Sequence, residues 1–445
     1  MRVQKPMGVT QYPGNNESFI PFRDFIKQVE RAKYKDYEHT NVRSRKDFQD
    51  MRGHILRMYE SVRKAESFVL GGKGNEHADC IGIKEQPTVH QLKLREIAKP
   101  PKDPTKAPET QGPRPGNTSY ADSPLKLGRV DKSGHPISCP ANTIPMARMT
   151  LEKLTTFPTL SDFFEKVPRG AKVPRESKAP GFKSVWEDSL HAYGYQYANN
   201  FGGNSWLNLW DPEGDFSLSQ HWYTGGSGCD LQTVEGGWIR CPSCGSSSDE
   251  SVLFIYWTNH GYGRGECSTS SIVGCYDLTC PGFVQINNNW LLGGPWDQYS
   301  TAGGEQWGFE LQWKLYSGNW WLFLKGRGEY EAVGYYPTSI FNGGSLSRGA
   351  TAIVYGGEVA RNGRDAWPQM GSGKLAAAGW QEAAFQETIF WIASDENDGV
   401  GVWASLTSSD EALERCYTIK VANFPNGGGW GTYSYFGGPG GDVCR

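Results

Sequence analysis

The sequence predicts a mostly β protein, an antiparallel β-sandwich domain preceded by a smaller α+β domain. Composition changes sharply near residue 180: all 17 Trp lie at or after Trp186, 44 of 56 Gly follow residue 180, and 18 of 26 Pro precede it. From about His191 the apolar residues recur with period two, in many short runs separated by Gly-rich turns, which is the pattern of an antiparallel sandwich. At 445 residues the chain also exceeds the usual size of one domain, so two modules are expected.

Charge divides the chain in the same place. Residues 1–178 carry 32 Lys+Arg against 21 Asp+Glu, a formal +11, and the remainder carries 13 against 27, a formal −14. The basic residues alternate with acids and match no nucleic-acid reader motif, so the expected partner of the basic half is the acidic half of the same chain. Opposite fields attract, and the attraction fades as carboxylates take up protons. No nucleic acid, membrane or cofactor partner is expected, and a monomer is. No stretch is long and apolar enough to span a bilayer. Met1 to Asn16 is polar, so a secretion signal is expected to lie upstream of it.

Four segments follow in order. Residues 1–75 read as a helical N-terminal extension: apolar positions recur at helical spacing from Phe19 and again from Lys46 to Leu70, where Gly71-Gly72 stops the run. Residues 76–166 read as a smaller α+β segment with a strand around His90 to Ile97, a Pro- and Lys-rich linker over Lys99 to Gly116, and a helix over Met149 to Lys166. Residues 167–185 read as a cleavable linker, because Pro168, Pro174 and Pro180 stand among basic residues in chain exposed to proteolysis. Residues 186–445 form the β-rich domain. Strands are predicted at Ser205–Trp210, Phe216–Tyr223, Leu231–Arg240, Val252–Thr258, Gly282–Asn287, Ala350–Val359, Thr388–Ala393 and Cys416–Ala422. Trp307–Leu315 and Trp320–Leu324 flank the turn Ser317-Gly318-Asn319 as a hairpin.

The ten cysteines divide evenly, two before the linker and eight after it, which suits disulfides and an oxidising compartment. Cys241-x-x-Cys244 with Cys275-x4-Cys280 also admits a four-thiolate zinc site, although its irregular spacing fits bridges better. Sequons at Asn16-Glu17-Ser18 and Asn117-Thr118-Ser119 agree with secretion. The eight His show no metal-ligand spacing, and no Ser-His-Asp arrangement has a motif.

Two runs carry chemistry. Thr233-Val234-Glu235-Gly236-Gly237-Trp238 and Tyr355-Gly356-Gly357-Glu358-Val359 each set a carboxylate beside two glycines inside a strand pattern, where Glu and Gly are both disfavoured. Such runs suggest that Glu235 and Glu358 face one cleft as a catalytic pair. Gly356 and Gly357 would let a substrate backbone lie close to the acids. Trp238 is a candidate wall for an apolar or prolyl side chain, with core packing as the competing reading. Gln369, Ser372 and Gly373 are further candidates for the cleft lining.

The chain from Asp79 onward resembles the neprosin family of glutamic peptidases with its N-terminal activation domain. The resemblance rests on ten motifs in order. They are Asp79-Cys80-Ile81 through Glu85-Gln86-Pro87, Ser138-Cys139-Pro140 through Thr143-Ile144-Pro145, Phe216 through Gln220, the Glu235 run, Tyr256-Trp257-Thr258 through Gly261-Tyr262, Gly274-Cys275-Tyr276 through Gln285, Gly318 through Leu322, Gly334 through Pro337, the Glu358 run, and Gln369 through Gly373. It implies a secreted, acid-activated, prolyl-directed endopeptidase, made as a self-processing zymogen whose pro-domain is an intramolecular inhibitor, acting on polypeptides. The family's activation domain falls on residues 76–166, and its two catalytic glutamates fall on Glu235 and Glu358. The helical extension, the Cys241-Pro242-Ser243-Cys244 insertion and the tail to Cys444 depart from the family pattern. Two carboxyl groups close together share a proton and can supply both acid and base. A two-carboxylate glycoside hydrolase and a non-catalytic carbohydrate-binding sandwich are the alternatives for a Trp-rich sandwich.

Overall fold

The computed structural model describes residues 19–69, 77–122, 138–166, 174–176, 184–186, 189–244, 249–296, 298–361, 365–396, 399–409 and 415–444. Helices α1 (Phe22–Arg31) and α2 (Arg45–Tyr59) open the chain, the second capped by the Ser44 hydroxyl, which accepts from the Asp47 amide. Strands β1 (Glu66–Val69) and β2 (His77–Gly82), the one-turn helix α3 (Pro87–Gln91), β3 (Ser119–Tyr120), β4 (Thr143–Ala147) and the one-turn helices α4 (Leu151–Leu154) and α5 (Leu160–Phe163) follow. A three-stranded antiparallel sheet runs in the order β1-β2-β4. Phe25, Phe48, Met51, Ile55 and Met58 of the helices and Ile81 and Ile144 of the sheet share one buried cluster. Strand β1 pairs with β2, which ties residues before 75 to residues after 76.

Three local expectations differ from the structure. The helical run predicted from Lys46 to Leu70 ends at Tyr59, and its later residues Glu66–Val69 are extended because they pair with β2. His90 to Ile97 contains the end of α3 followed by irregular chain, because Pro87 supplies a helical first position. Met149 to Lys166 forms two single turns rather than one helix, each begun by a threonine cap, Thr150 and Thr159, with Pro158 between them. Within the predicted cleavable linker, 167–173 and 177–183 lie outside the described residues, Pro168 and Pro180 among them, as do 187–188 just beyond it. β5 (Pro174–Glu176) and β6 (Ser184–Trp186) pair as a ribbon.

Two larger sheets make the sandwich. Its strands are β7 (Ser189–Asn200), β8 (Gly202–Asn208), β9 (Ser217–Gly225), β10 (Gln232–Arg240), β11 (Val252–Thr258), β12 (Gly274–Tyr276), β13 (Val284–Gln285) and β14 (Trp307–Tyr316). They continue with β15 (Asn319–Lys325), β16 (Glu331–Pro337), β17 (Ala350–Ala360), β18 (Ala384–Ile392), β19 (Gly401–Trp403), β20 (Thr407–Ser408), β21 (Thr418–Ala422) and β22 (Tyr433–Gly437). The seven-stranded sheet is ordered β12-β11-β10-β9-β17-β7-β20. The ten-stranded sheet is ordered β13-β16-β15-β14-β8-β18-β22-β21, with β19 on β18 and β3 on β14. Alternation assigns the faces: Phe309, Leu311 and Trp313 point inward to meet Val234, Trp238 and Tyr355, and Trp313 stacks on Tyr336 with centroids 5.4 Å apart. Glu310 and Gln312 therefore point out of the sandwich.

All ten cysteines are paired, as Cys80–Cys139, Cys229–Cys267, Cys241–Cys244, Cys275–Cys280 and Cys416–Cys444. The four-thiolate zinc reading is thereby corrected, since its four sulfurs are consumed in two short-range bridges. Among the described residues no helix is long and apolar enough to cross a membrane.

The N-terminal region is docked by buried polar contacts as well as apolar ones. Gln86 Nε2 donates to the Gln285 carbonyl at 2.7 Å while its Oε1 accepts from the Gln285 amide at 2.9 Å. The His54 ring meets the Thr279 carbonyl at 2.8 Å. Burial of the imidazole, partly offset by this bond, lowers its pKa to about 4, so it docks as a neutral group.

Candidate active site

Strand β9 sits between β10 and β17 and sets the spacing of the two glutamates. Glu235 lies opposite Trp222 of β9, Glu358 lies opposite Leu218, and Gln220 lies between them, opposite both Gly237 and Gly356. All of these even-parity positions on β9 face the same side of the sheet, away from the core. The two carboxylates are thus brought to one point although 123 positions separate them in sequence.

That point is occupied by Lys166, the last described residue before the linker. Its Nζ lies 2.6 Å from Glu235 Oε2 and 3.1 Å from Glu358 Oε2. The amide orientation of Gln220 that satisfies both neighbours has Nε2 donating to Glu235 Oε2 at 2.9 Å and the oxygen accepting from Lys166 Nζ at 3.0 Å. Both glutamates and the lysine are buried. The ammonium also lies 5.9 Å from the Trp222 ring centre and 5.7 Å from that of Tyr262. Tyr276 holds the lysine backbone, its hydroxyl donating to the Lys166 carbonyl at 2.6 Å, and Arg264 pairs with the neighbouring Glu165.

Each carboxylate has its own second set of partners. Glu235 Oε1 accepts from Thr233 Oγ1 at 2.7 Å and from Tyr262 Oη at 2.8 Å. Glu358 Oε1 accepts from Ser189 Oγ at 2.9 Å and has His191 Nε2 at 3.5 Å. Burial alone would raise the Glu358 carboxyl, but the Lys166 ammonium and His191 outweigh it and hold it well below the usual range. Burial likewise opposes the Lys166 charge, and the two glutamates outweigh it, so the ammonium is raised above its ordinary value.

The other predicted positions fall elsewhere. Trp238 lies three residues from Glu235, an odd step that turns it to the opposite face of the strand. It is wholly buried between the sheets, with its indole donating to the Asn208 carbonyl at 2.8 Å, so it does not wall the cleft. Gly357 also faces the core, where a Cβ would come within 2.9 Å of Met370. Gly356 shares the face of Glu235 and Glu358, but its φ of +154° and the Ala192 carbonyl, 2.2 Å from where a Cβ would be, show that the close approach there is of the next strand. Gln369 Oε1 accepts from the Glu213 amide at 3.2 Å, and Ser372 Oγ accepts from the Lys374 amide at 3.2 Å within its own turn; neither is a described partner of the glutamates or of Lys166. Gly373 packs on the Gln369 side chain.

A buried carboxylate pair set on a sandwich sheet and contacted by the preceding segment of the same chain fits a peptide hydrolase. The family model described as Neprosin matches residues 213–439, a little over half of the chain. The chain belongs to the neprosin family. Among solved structures it is similar to scytalido-glutamic peptidase bound to a peptide-based transition-state analogue, at 9% identity and a TM-score of 0.28, over 56% of this chain and 98% of that one. It is also similar to the same peptidase with a transition-state analogue inhibitor, at 10% identity and a TM-score of 0.29, over the same shares of the two chains.

Proposed function

We propose that the chain is a secreted glutamic endopeptidase, prolyl-directed and active in acid, made as a zymogen whose residues up to Lys166 inhibit it. The observation that carries this reading is that one nitrogen, Lys166 Nζ, contacts both Glu235 and Glu358. A water molecule at that point would reach the same two oxygens. With Lys166 withdrawn, the two carboxyl groups lose the cation between them, and two such groups sharing a site hold one proton between them. The ionised member then takes a proton from the water as its oxygen attacks the scissile carbonyl carbon. The protonated member delivers its proton as the C–N bond breaks, and the Gln220 amide is placed to steady the oxygen that gains charge.

Prolyl preference is supported by the family resemblance and by Pro168, Pro174 and Pro180 in the linker, which would make the linker the enzyme's own first substrate. Five disulfides support secretion. The test is a peptide-library digest in acid with the native chain, Glu235→Gln and Glu358→Gln. Each variant is expected to lose about 10³-fold or more of the activity of the native chain. Cleavage of oligosaccharides but not peptides, or retention of activity in either variant, would overturn the reading.

A further inference from the structure

The Pro- and Lys-rich stretch from Lys99 to Gly116 is not a free linker: it runs as a strap over the outward face of the ten-stranded sheet, on the far side of the sandwich from Glu235 and Glu358. It contains six Pro and four Lys or Arg against two acids. Pro101 and Thr105 are buried, with more exposed residues between them, so the stretch meets the surface at intervals along its length.

The sheet grips the strap through its backbone. Gln312 makes a two-way bond to Thr105, Oε1 accepting from the Thr105 amide at 2.6 Å and Nε2 donating to the Thr105 carbonyl at 2.9 Å. The indole of Trp403 donates to the Glu109 carbonyl at 3.1 Å, and that of Trp430 to the Gly116 carbonyl at 3.2 Å. The Gly429 amide donates to the Pro113 carbonyl at 2.9 Å. A Cβ on Gly401 would lie 2.6 Å from the Lys106 carbonyl, so the sheet is relieved there to admit a passing chain. Arg114 adds a contact to Glu387 Oε1 at 2.6 Å. Indole and amide donors aimed at carbonyls are how an aromatic surface reads a proline-rich chain, whose carbonyls are free and whose ordering cost is low.

We propose that this face is a second polypeptide-binding surface, which takes proline-rich basic chains in an extended conformation once the N-terminal region has left. The strap is its resident mimic. The proposal rests on the zymogen reading, since the strap departs only if residues before the linker are cut away. Captured substrate would be held on one side of the sandwich while another part of the same chain reaches the catalytic pair on the other.

The probe is a fluorescent synthetic peptide of residues 98–116. The protein is the full chain with Glu235→Gln, to spare the probe, and with residues 177–183 replaced by the recognition site of a sequence-specific protease. Saturable binding is expected after cutting and removal of the N-terminal region and not before. It should weaken about tenfold or more when the probe's prolines become alanine, or when Gln312→Ala and Trp403→Ala are combined in the protein. In the cut chain with Glu235 intact, Gln312→Ala with Trp403→Ala should leave hydrolysis of a short peptide unchanged and raise KM about tenfold for a long proline-rich polypeptide. A second protein, the full chain with 99–116 replaced by a Gly/Ser spacer of equal length, exposes the face without any cut. Absence of binding by both proteins, or equal binding of the alanine probe, overturns the proposal. Binding by the cut Glu235→Gln chain, together with no peptide hydrolysis by the cut chain in which Glu235 is intact, would leave this surface standing and overturn the peptidase reading instead.

Discussion

The outer faces of the two sheets are both covered by the N-terminal region, and they are covered in opposite ways. On the seven-stranded sheet one side chain, Lys166, meets Glu235, Glu358 and Gln220 at a single buried point. On the ten-stranded sheet closure is spread over many contacts, mostly backbone carbonyls to neutral donors. The first cover meets the two acids through one charged side chain, so one protonation or one substitution can remove that contact, although Tyr276 and Arg264 still hold the Lys166 carbonyl and Glu165. The second is neutral and distributed, so it persists until the whole segment leaves.

The largest effect expected from this contrast is that of Lys166→Ala. It leaves two buried carboxylates without their cation, which costs about 3–5 kcal/mol of the closed state. The full-length variant should hydrolyse peptides without prior acid treatment and melt at a lower temperature than the native chain at neutral pH. Unchanged latency would show that the concentrated contact is not what closes the catalytic face.

Acid should act next, and on the same face. The Glu358 pKa is lowered in the closed form, so its contribution to closure is complete above the ordinary value of 4.5 and fades as pH falls below that toward the depressed value. The raised Lys166 pKa means that its contribution is lost only in alkali, as pH rises through that value. Hydrogen exchange followed from pH 7 downward should therefore show β10 and β17 losing protection before β8 and β14 do. Simultaneous loss on both sheets would erase the distinction.

The smallest effect is that of Arg114→Ala. Its side chain is half exposed, but Glu387 is buried and burial raises that carboxyl to about 8, so near neutral pH the contact is largely a hydrogen bond to a protonated acid and contributes about 1 kcal/mol. The variant should keep its latency and show only a slight rise in strap susceptibility to limited proteolysis. A release as complete as that of Lys166→Ala would mean that the strap too hangs on one charge.

Much of the sandwich was legible because alternation, Gly-rich turns and length identify strands without reference to partners. The predicted Val252–Thr258 strand is the observed β11, and the turn at Ser317-Gly318-Asn319 joins β14 to β15 as expected. The glutamates stood out because an acid beside glycines is anomalous in a strand. The parity of the same strands separates Gly356 from Gly357 and excludes Trp238, a signal present in the sequence and outweighed by proximity along the chain. Lys166 carried no such signal: in Phe163-Phe164-Glu165-Lys166 it reads as one more basic residue of a basic half. Gln220 lies within a family motif, but only the pairing of β9 with both β10 and β17 reveals what it touches. The composition of the strap marks it as unable to fold alone, and it lies against the sheet without secondary structure of its own. Its receptor was invisible because Glu310 and Gln312, on the polar side of an alternating strand, look like solvent-facing residues.

Strand β9 has one more consequence. Both glutamates are hydrogen-bonded neighbours of that single strand, so their separation is quantised by the ladder, at roughly 4.8 Å per strand. Chain added beyond the end of β10 at Arg240 can lengthen a rim without moving either acid. A slip of one residue in either pairing would instead turn an acid into the core, which leaves this geometry no intermediate settings.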